Sequence, residues 1–278
     1  GNKKRFSGSG GLGLISSRLL LEGPIIKDKA SFLISGRRTY IDIITGLINK
    51  ATEDSPNAVK IPAYSFHDFN AKFNIQLSPK DRLYFSGYYG RDFFLFKDED
   101  LKFNFNWGNL ASTLRWNRIL TPKLFMNNSL TFSDYKYQIK NSFDEFKVEL
   151  GSGIRDVNLK TDYSWSPNPN HTIKFGLHGT YHFFSVNRFD AGNGEDIQFE
   201  AGTDFHGGEL AGYFADDWKI NDRLSVNYGL RLSSFYNEEF FGGIEPRLAA
   251  KYSVMENFSL KASYTRMYQY IHLVSSSG

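Results

Sequence analysis

The stretch Glu209–Tyr236, ELAGYFADDWKINDRLSVNYGLRLSSFY, decides the fold class. Its second half alternates strictly, and successive side chains of a strand point to opposite faces of a sheet. The apolar series is Leu224, Val226, Tyr228, Leu230 and Leu232, and the opposite series is Ser225, Asn227, Gly229, Arg231 and Ser233. The pattern predicts a strand with one apolar and one polar face. A turn at Asn221-Asp222 connects it to a preceding strand that ends near Trp218.

The rest of the chain repeats this unit of long strand, short polar turn, long strand and longer loop. About twelve strands are expected, many of about 12–15 residues, whereas globular strands usually have about 5–6. A tilted strand crosses a membrane with about 9–11 residues. Outer-membrane barrels also alternate short periplasmic turns with longer outside loops. The sequence therefore predicts an all-β, antiparallel up-and-down transmembrane β-barrel, or a fragment of one.

The longer connections are predicted from clusters of polar, glycine and charged residues. Asp42–Pro62 is expected to be a long connection, with one or two helical turns within Ile43–Lys50. Further loops are predicted at Phe93–Asp100, Asn141–Gly153 and Asn187–His206.

Composition excludes several classes of protein. The 278 residues include no cysteine, so thiolate chemistry and disulfides are excluded. The net charge of +3 arises from interspersed charges without a basic block, which argues against nucleic-acid binding. No apolar run is long enough for a membrane helix, but that criterion does not apply to barrel strands, which are only half apolar. The start of the chain lacks the apolar region of a signal peptide, so we expect a cytosolic chain, a mature chain or an excised piece.

Tryptophan positions support a membrane barrel. Trp116, Trp165 and Trp218 each lie a few residues before a short turn, and Trp107 follows a long loop. Aromatic girdles mark both interfaces of outer-membrane barrels. We therefore predict that the first three belong to the periplasmic girdle and Trp107 to the outer girdle. The alternative is that they are core anchors at strand ends.

Several stretches resemble a known family. They are Ser16–Phe32 (SSRLLLEGPIIKDKASF), Ser35–Asp42 (SGRRTYID), Tyr213–Leu232 (YFADDWKINDRLSVNYGLRL), Glu245–Tyr252 (EPRLAAKY) and Ser263–Tyr270 (SYTRMYQY). Together they resemble the barrel of TonB-dependent outer-membrane receptors, most closely those of the Bacteroidetes type. The resemblance covers nearly the whole chain, although none of the stretches is as specific as a catalytic motif.

The resemblance implies a barrel of about 22 strands that encloses a plug. Such a receptor binds a scarce nutrient at its outside loops and plug. It admits the nutrient when the TonB complex, driven by the proton gradient of the inner membrane, pulls on the plug. Residues 1–278 are expected to be a portion of the barrel, because the plug, the TonB box and the terminal aromatic strand are not recognised in them. The implied partners are outer-membrane lipid, the TonB complex acting through the plug, and a small nutrient. The implied location is the outer membrane of a Gram-negative bacterium, and no cofactor is expected.

Candidate site residues fall into two groups. Phe93, Phe94 and Phe96, in a predicted outside loop, are expected either to stack on a sugar or hydrophobic ligand or to pack the loop. Polar-face residues are expected to face the lumen and to contact the plug or the substrate path. They are Arg115, Lys174, His178, His182, Arg231 and Arg247, together with Arg37, Arg38 and Lys261. His178 and His182 are about 13 Å apart along a strand, too far to share one metal ion.

Three functions are compared. No Ser-His-Asp signature, glycine-rich phosphate loop or H-E-x-x-H motif is present, so an enzyme is not expected. Asp190–Asp196 lacks the spacing of an EF-hand and is interpreted as a loop tip. An energy-coupled receptor for a siderophore, vitamin, glycan or peptide is the leading hypothesis. The alternatives are a passive porin or structural barrel, and a soluble β-rich binding module.

Overall fold

The structure is a computed structural model that describes residues 1–55, 60–98, 101–143, 146–193 and 198–271. It consists of one sheet of thirteen strands and one helix. In chain order the elements are β1 Ser7–Leu12, β2 Ser16–Ile26, β3 Ala30–Thr39, α1 Ile41–Ala51, β4 Ala63–Gln76, β5 Asp81–Asp98, β6 Leu101–Thr121, β7 Leu124–Phe143, β8 Phe146–Asn168, β9 His171–Gly192, β10 Gln198–Lys219, β11 Leu224–Asn237, β12 Glu239–Met255 and β13 Phe258–Thr265.

The strands follow one another in the sheet in sequence order, and each pairs antiparallel with the next. Short turns join their lower ends, as between Lys219 and Leu224 or between Thr121 and Leu124. This is the up-and-down topology that the sequence predicted, with β1 and β13 at the two edges of the sheet. Within the described residues, no helix is both long and apolar enough to span a membrane.

Three predicted loops are wrong, because the strands are longer than their alternation suggested. β8 has 23 residues, and β9 and β10 have 22 each. Phe93–Asp98 therefore belongs to β5, and most of Asn141–Gly153 and Asn187–His206 continues β7 to β10. Backbone pairing extends to the far ends, with Leu101 opposite Phe143 and Lys147 opposite Gly192.

Smaller differences lie at the two ends of the chain. The glycine-rich segment Ser7–Leu12 forms β1 against β2, with Ser7 opposite Glu22, although glycine has a low strand propensity. At the other end of the chain, β13 has only eight residues and ends at Thr265.

Helix α1 confirms the predicted helical segment in the connection between β3 and β4. Asp42 lies in its first turn and Lys50 in its last, as the helix dipole favours. The Asn49 side chain accepts a hydrogen bond from the Ile61 backbone N–H and donates one to the Ile61 carbonyl. These bonds fasten the returning chain to the helix.

The sheet has two faces, which we name by adjacent residues of β6 as the Arg115 face and the Trp116 face. Residues directly opposite each other on neighbouring strands point to the same face, so the register assigns every side chain. β7 shows the pattern. Near its turn, Ser129, Thr131 and Ser133 lie on the Arg115 face, and Leu130 and Phe132 lie on the Trp116 face. Further along, Tyr135, Tyr137 and Ile139 lie on the Arg115 face, and Asp134, Lys136 and Gln138 on the Trp116 face.

The apolar side thus changes partway up the strands, and from β5 to β9 it does so near one row of the register. The register connects Arg91, Gly108, Lys136, Gly153 and Ser185 in a single row, the boundary row. Gly108 and Trp116 are eight residues apart, or about 26 Å along a strand. A tilted strand crosses the hydrocarbon core of a membrane with about 9–11 residues, and Gly108 to Trp116 inclusive is nine. The lower layer, between the short turns and the boundary row, therefore has the height of a membrane.

Candidate functional site on the Arg115 face

The lower layer of the Arg115 face carries a network of ionisable side chains. His182 has a side chain that is only 10% exposed, and its Nδ1 lies 2.7 Å from Oδ1 of Asp156. Its Nε2 lies 3.8 Å from Oε1 of Glu209. These three residues come from β9, β8 and β10, so the network ties three strands together.

A second part of the network centres on Glu245, whose side chain is 5% exposed. Ser233 Oγ donates a 2.5 Å hydrogen bond to its carboxylate. Arg231 Nε lies 3.7 Å from Oε1, and Arg247 Nη2 lies 3.9 Å from Oε2. Arg231 also places Nη2 3.4 Å from His178 Nδ1. One buried carboxylate thus orients two guanidinium groups on the polar face.

Neighbouring polar residues complete the layer. Asn158 contacts His178 and donates a 2.7 Å hydrogen bond to Thr180 Oγ1. Tyr213 donates its hydroxyl proton to Asp162 across two strands. Almost every polar group here is therefore paired within the sheet, which lets charged side chains remain on this face when bulk water is excluded.

The structure brings all six residues of the predicted lumen-facing set to the Arg115 face. Lys174 contacts Asp217 at 3.2 Å, and Arg115 lies in one row with Tyr84 and Ser129. Arg37 and Lys261 share this face, with Arg37 bonded to Asp68 at 2.8 Å. The prediction is wrong for Arg38, because the register places it opposite His67 on the Trp116 face, where it pairs with Asp42 of α1 at 3.0 Å. That this face forms the lumen stays a prediction.

Three of the four tryptophans share a position. Trp116, Trp165 and Trp218 lie on the Trp116 face, close to the short turns. Trp116 Nε1 donates to Asp81 Oδ1 at 3.0 Å, which satisfies its polar end beside a turn. Trp107 does not join them, because the uninterrupted register of β6 places it on the Arg115 face. Trp107, which was predicted for the outer girdle, therefore lies on the opposite face from the other three, and the assignment of the four to girdles stays a prediction.

Above the boundary row, the Arg115 face is aromatic. The Trp107 ring lies 4.5 Å from the Phe105 ring and stacks on Tyr64 at 6.4 Å. Phe94 meets Phe103 edge to face at 5.9 Å, and the rings of Phe184 and Phe205 stack at 4.6 Å. This surface, the aromatic wall, runs from β4 to β10. Its members are Tyr64, Phe66, Phe94, Phe96, Phe103, Phe105, Trp107, Tyr137, Phe184 and Phe205.

Polar groups border the aromatic wall at β4 and β5. The Tyr64 hydroxyl donates a 2.7 Å hydrogen bond to Asp92 Oδ1. Burial, together with this bond to the carboxylate, raises the pKa of Tyr64 to about 12, so its hydroxyl stays protonated. The Arg37 guanidinium lies 4.6 Å from the centre of the Phe66 ring, a cation–π arrangement.

The three predicted ligand-contacting phenylalanines are divided between the faces. Phe94 and Phe96 belong to the aromatic wall, whereas Phe93 stacks on His67 on the Trp116 face at 5.8 Å. Sequence reasoning missed most of the wall, including Tyr64, Phe105 and Tyr137. The signal was available in β7, where the apolar residues change from even to odd positions after Phe132.

Within the described parts of the chain, no group of three or more His, Cys, Asp or Glu side chains is placed to hold a metal ion. Asp190–Asp196, interpreted as a loop tip, falls partly on Gly194, Glu195 and Asp196, which lie outside the described residues, whereas Asp190–Gly192 belongs to β9.

Consecutive antiparallel strands of this length, with a membrane-high apolar band, define an outer-membrane β-barrel. The sequence model of the TonB dependent receptor-like, beta-barrel family matches residues 54–270. The chain belongs to this family, whose members are receptors and transporters of the outer membrane. The alternative of a soluble binding module is therefore set aside. None of the curated proteins matches the sequence.

Solved structures agree on the fold. The BauA ferric preacinetobactin receptor of Acinetobacter baumannii is 9% identical with a TM-score of 0.64, over 93% of this chain and 46% of BauA. The FpvA pyoverdine receptor of Pseudomonas aeruginosa is 10% identical with a TM-score of 0.67, over 95% and 46%. The copper transporter OprC is 9% identical with a TM-score of 0.68, over 95% and 45%. The chain thus spans less than half the length of these proteins.

Proposed function

We propose that this chain is the barrel portion of a receptor that takes up a scarce nutrient across the outer membrane by energy-coupled transport. The observation that carries the proposal is the buried Glu245 carboxylate with Arg231 and Arg247 beside it on the polar face of a family barrel. A barrel that only spans the membrane does not require charges fixed in this way on its inner surface.

In this proposal the Arg115 face forms the lumen. Arg115, Lys174, His178, His182, Arg231 and Arg247 contact a plug that lies outside residues 1–278, or line the path past it. The TonB complex then acts through that plug. The ion pairs within the sheet support this arrangement. Because these charges already have partners on the Arg115 face, a plug that moves against this face desolvates few unpaired charges.

The aromatic wall supports a second element of the proposal, a nutrient-contacting surface above the membrane. Ring faces at Trp107, Tyr64 and Phe94 suit a ligand with an aromatic ring, an apolar group or a sugar face. Siderophores, vitamins, glycans and peptides remain the candidate classes. The proposal also includes that the receptor is of the Bacteroidetes type.

The test uses the complete receptor gene in its own host. Deletion is expected to abolish growth when one nutrient is limiting, and complementation to restore it. Labelled candidates from each class identify the substrate. Uptake is expected to stop when a protonophore collapses the proton gradient, or when TonB is deleted, while binding at the cell surface persists. Uptake that continues at the same rate under both treatments would establish a passive porin instead.

A further inference from the structure

Helix α1 lies against β4 and is held to the protein by its polar side. Asp42, Thr45 and Asn49 recur at helical spacing and therefore share one side of the helix. Thr45 is buried, and the Asp42 carboxylate accepts a 3.0 Å hydrogen bond from Arg38. The Asn49 side chain bonds the backbone of Ile61. These contacts fix the polar side of α1 against the protein.

The apolar side of α1 points away from the protein. It carries four exposed aliphatic residues, Ile43, Ile44, Leu47 and Ile48. The exposed fraction is 52% for Ile43 and 65% for Leu47. A surface helix of a soluble protein turns its apolar stripe toward the core and its polar face toward water. Since α1 has the reverse arrangement, its outer side matches an apolar environment.

The turn between β1 and β2, Gly13–Ile15, adds to this apolar surface. Tyr40 directly precedes α1, and its backbone N–H donates a 3.0 Å hydrogen bond to the Ile15 carbonyl, so the turn lies beside the start of the helix. In that turn both Leu14 and Ile15 are exposed. Single exposed apolar residues are ordinary, but a group of them on adjacent segments marks a contact with a partner or a membrane.

The position of α1 in the fold favours a membrane over a partner protein. β3, which leads into α1, has 10 residues, and β2 beside it has 11. A tilted strand crosses the hydrocarbon core of a membrane with about 9–11 residues. α1 therefore begins where β3 leaves that core. Arg38, which holds Asp42, lies on the Trp116 face, so the first turn of the helix is fastened on the apolar side of the sheet.

The Trp116 face directly below α1 is apolar as well. Its exposed residues on β2, β3 and β4 are Leu19, Leu21, Ile34, Phe69 and Phe73. The apolar side of the helix thus continues the apolar surface of the lower layer at its upper edge. This continuity identifies the acyl chains that cover the lower layer as the apolar environment of α1.

We infer that α1 is an interfacial helix that lies in the outer surface of the membrane, with Ile43, Ile44, Leu47 and Ile48 inserted among the acyl chains. Interfacial helices bury their apolar side about 5–10 Å into the boundary between headgroups and acyl chains. The helix would thereby anchor the connection between β3 and β4 beside the barrel. The inference rests on the orientation of the Trp116 face toward lipid, which the proposed function implies, and not on energy-coupled transport.

The experiment measures spin-label accessibility in the full-length receptor, reconstituted in phosphatidylcholine vesicles that carry no net charge. Leu47→Cys is made in a receptor with no other cysteine, and collisions of its nitroxide label with oxygen and with a water-soluble nickel chelate are counted. Gly46→Cys is the matched control on the neighbouring residue, because a side chain at Gly46 enters open space. Leu114→Cys reports on the Trp116 face within the lower layer. Ile44→Cys repeats the measurement if Leu47→Cys folds poorly.

The Leu47→Cys label is expected to meet oxygen as often as the Leu114→Cys label does, and the nickel chelate about fivefold less often than the Gly46→Cys label. Frequent collisions with the chelate would place the apolar side of α1 in water and overturn the inference. Rare collisions with both reagents would also overturn it, since they would show that protein covers the helix. Exposure of the Leu114→Cys label to the chelate would overturn the orientation of the sheet, and the inference with it.

Discussion

The Nδ1 atom of His171 lies 2.6 Å from Oδ2 of Asp216, on the apolar Trp116 face near a short turn. Asp216 is only 2% exposed, and the Tyr228 hydroxyl donates a second hydrogen bond to the same oxygen at 3.0 Å. The His171 ring also stacks on Trp218 at 5.4 Å. An acidic residue is therefore accommodated between lipid-facing side chains because two donors and a tryptophan enclose it.

Replacing His171 by Leu is expected to destabilise the barrel by about 2–4 kcal/mol, since the Asp216 carboxylate would stay buried with one donor fewer. The measurement is the urea midpoint for unfolding of the full-length receptor from lipid vesicles. His171→Leu/Asp216→Leu provides the control, because removal of both partners leaves no buried charge. The double variant should regain most of the lost stability, and a further loss would contradict this account.

Glu245 gives a second stability prediction, in the lower layer of the Arg115 face. Glu245→Gln removes the charge beside Arg231 and Arg247 and weakens the hydrogen bond from Ser233, and because both guanidinium groups keep contact with solvent the cost is expected to be about 1–3 kcal/mol. The thermal midpoint of the purified receptor should therefore fall by several degrees. Glu239→Gln, an exposed acid on the same face of β12, should leave it unchanged. Equal effects of the two variants would show that burial is not the cause.

The lower layer was predictable because apolar and polar residues alternate along its strands, and the apolar residues stay on one face throughout. The alternation in the sequence assigns Leu224, Val226 and Leu230 to one face, and the register of β11 with β12 confirms that they share it. The same rule assigned Arg115 and Arg231 to the polar side. Two-residue periodicity is a local property, so local reasoning was sufficient for these residues.

The upper layer was not predictable in the same way, for a physical reason. Above the boundary row both faces leave the hydrocarbon, so the requirement for apolar residues on the Trp116 face disappears. In β5 the aromatic run Phe93–Phe96 then looks like a loop, since both faces carry aromatic rings. Trp107 was misplaced for a related reason, because its position relative to a loop does not specify its face.

Asp204, opposite Ser185 of the boundary row, allows a prediction of pH dependence. A hydrogen bond from Ser185, and next the Arg188 guanidinium, lower the pKa of the Asp204 carboxyl below its usual value. A lowered pKa means that the contact stabilises the fold above the ordinary carboxyl pKa and is lost as the pH falls through the lowered value. The protection factors for hydrogen exchange, which correct for the intrinsic slowing of exchange in acid, should therefore decrease at the outer ends of β9 and β10 at acid pH.

Asp204→Asn should reproduce that loss of protection at neutral pH and remove the acid dependence of the protection factors. Asp222→Asn, in a short turn at the opposite end of β10, is the control and should leave the outer ends unaffected. Unchanged exchange in Asp204→Asn across the pH range would show that this carboxylate does not hold the two strands together.

Trp107 and Trp116 are the same residue type on the same strand but on opposite faces, so they form a matched pair for the proposed nutrient-contacting surface. Trp107→Ala removes a ring that contacts Phe105 and Tyr64, and stacking on an aromatic side chain contributes about 0.5–1.5 kcal/mol. Binding of the transported nutrient to whole cells should weaken about two- to tenfold. Trp116→Ala should lower the stability of the barrel without changing the dissociation constant of the folded receptor. A change in that constant for Trp116→Ala alone would place the nutrient elsewhere than on the aromatic wall.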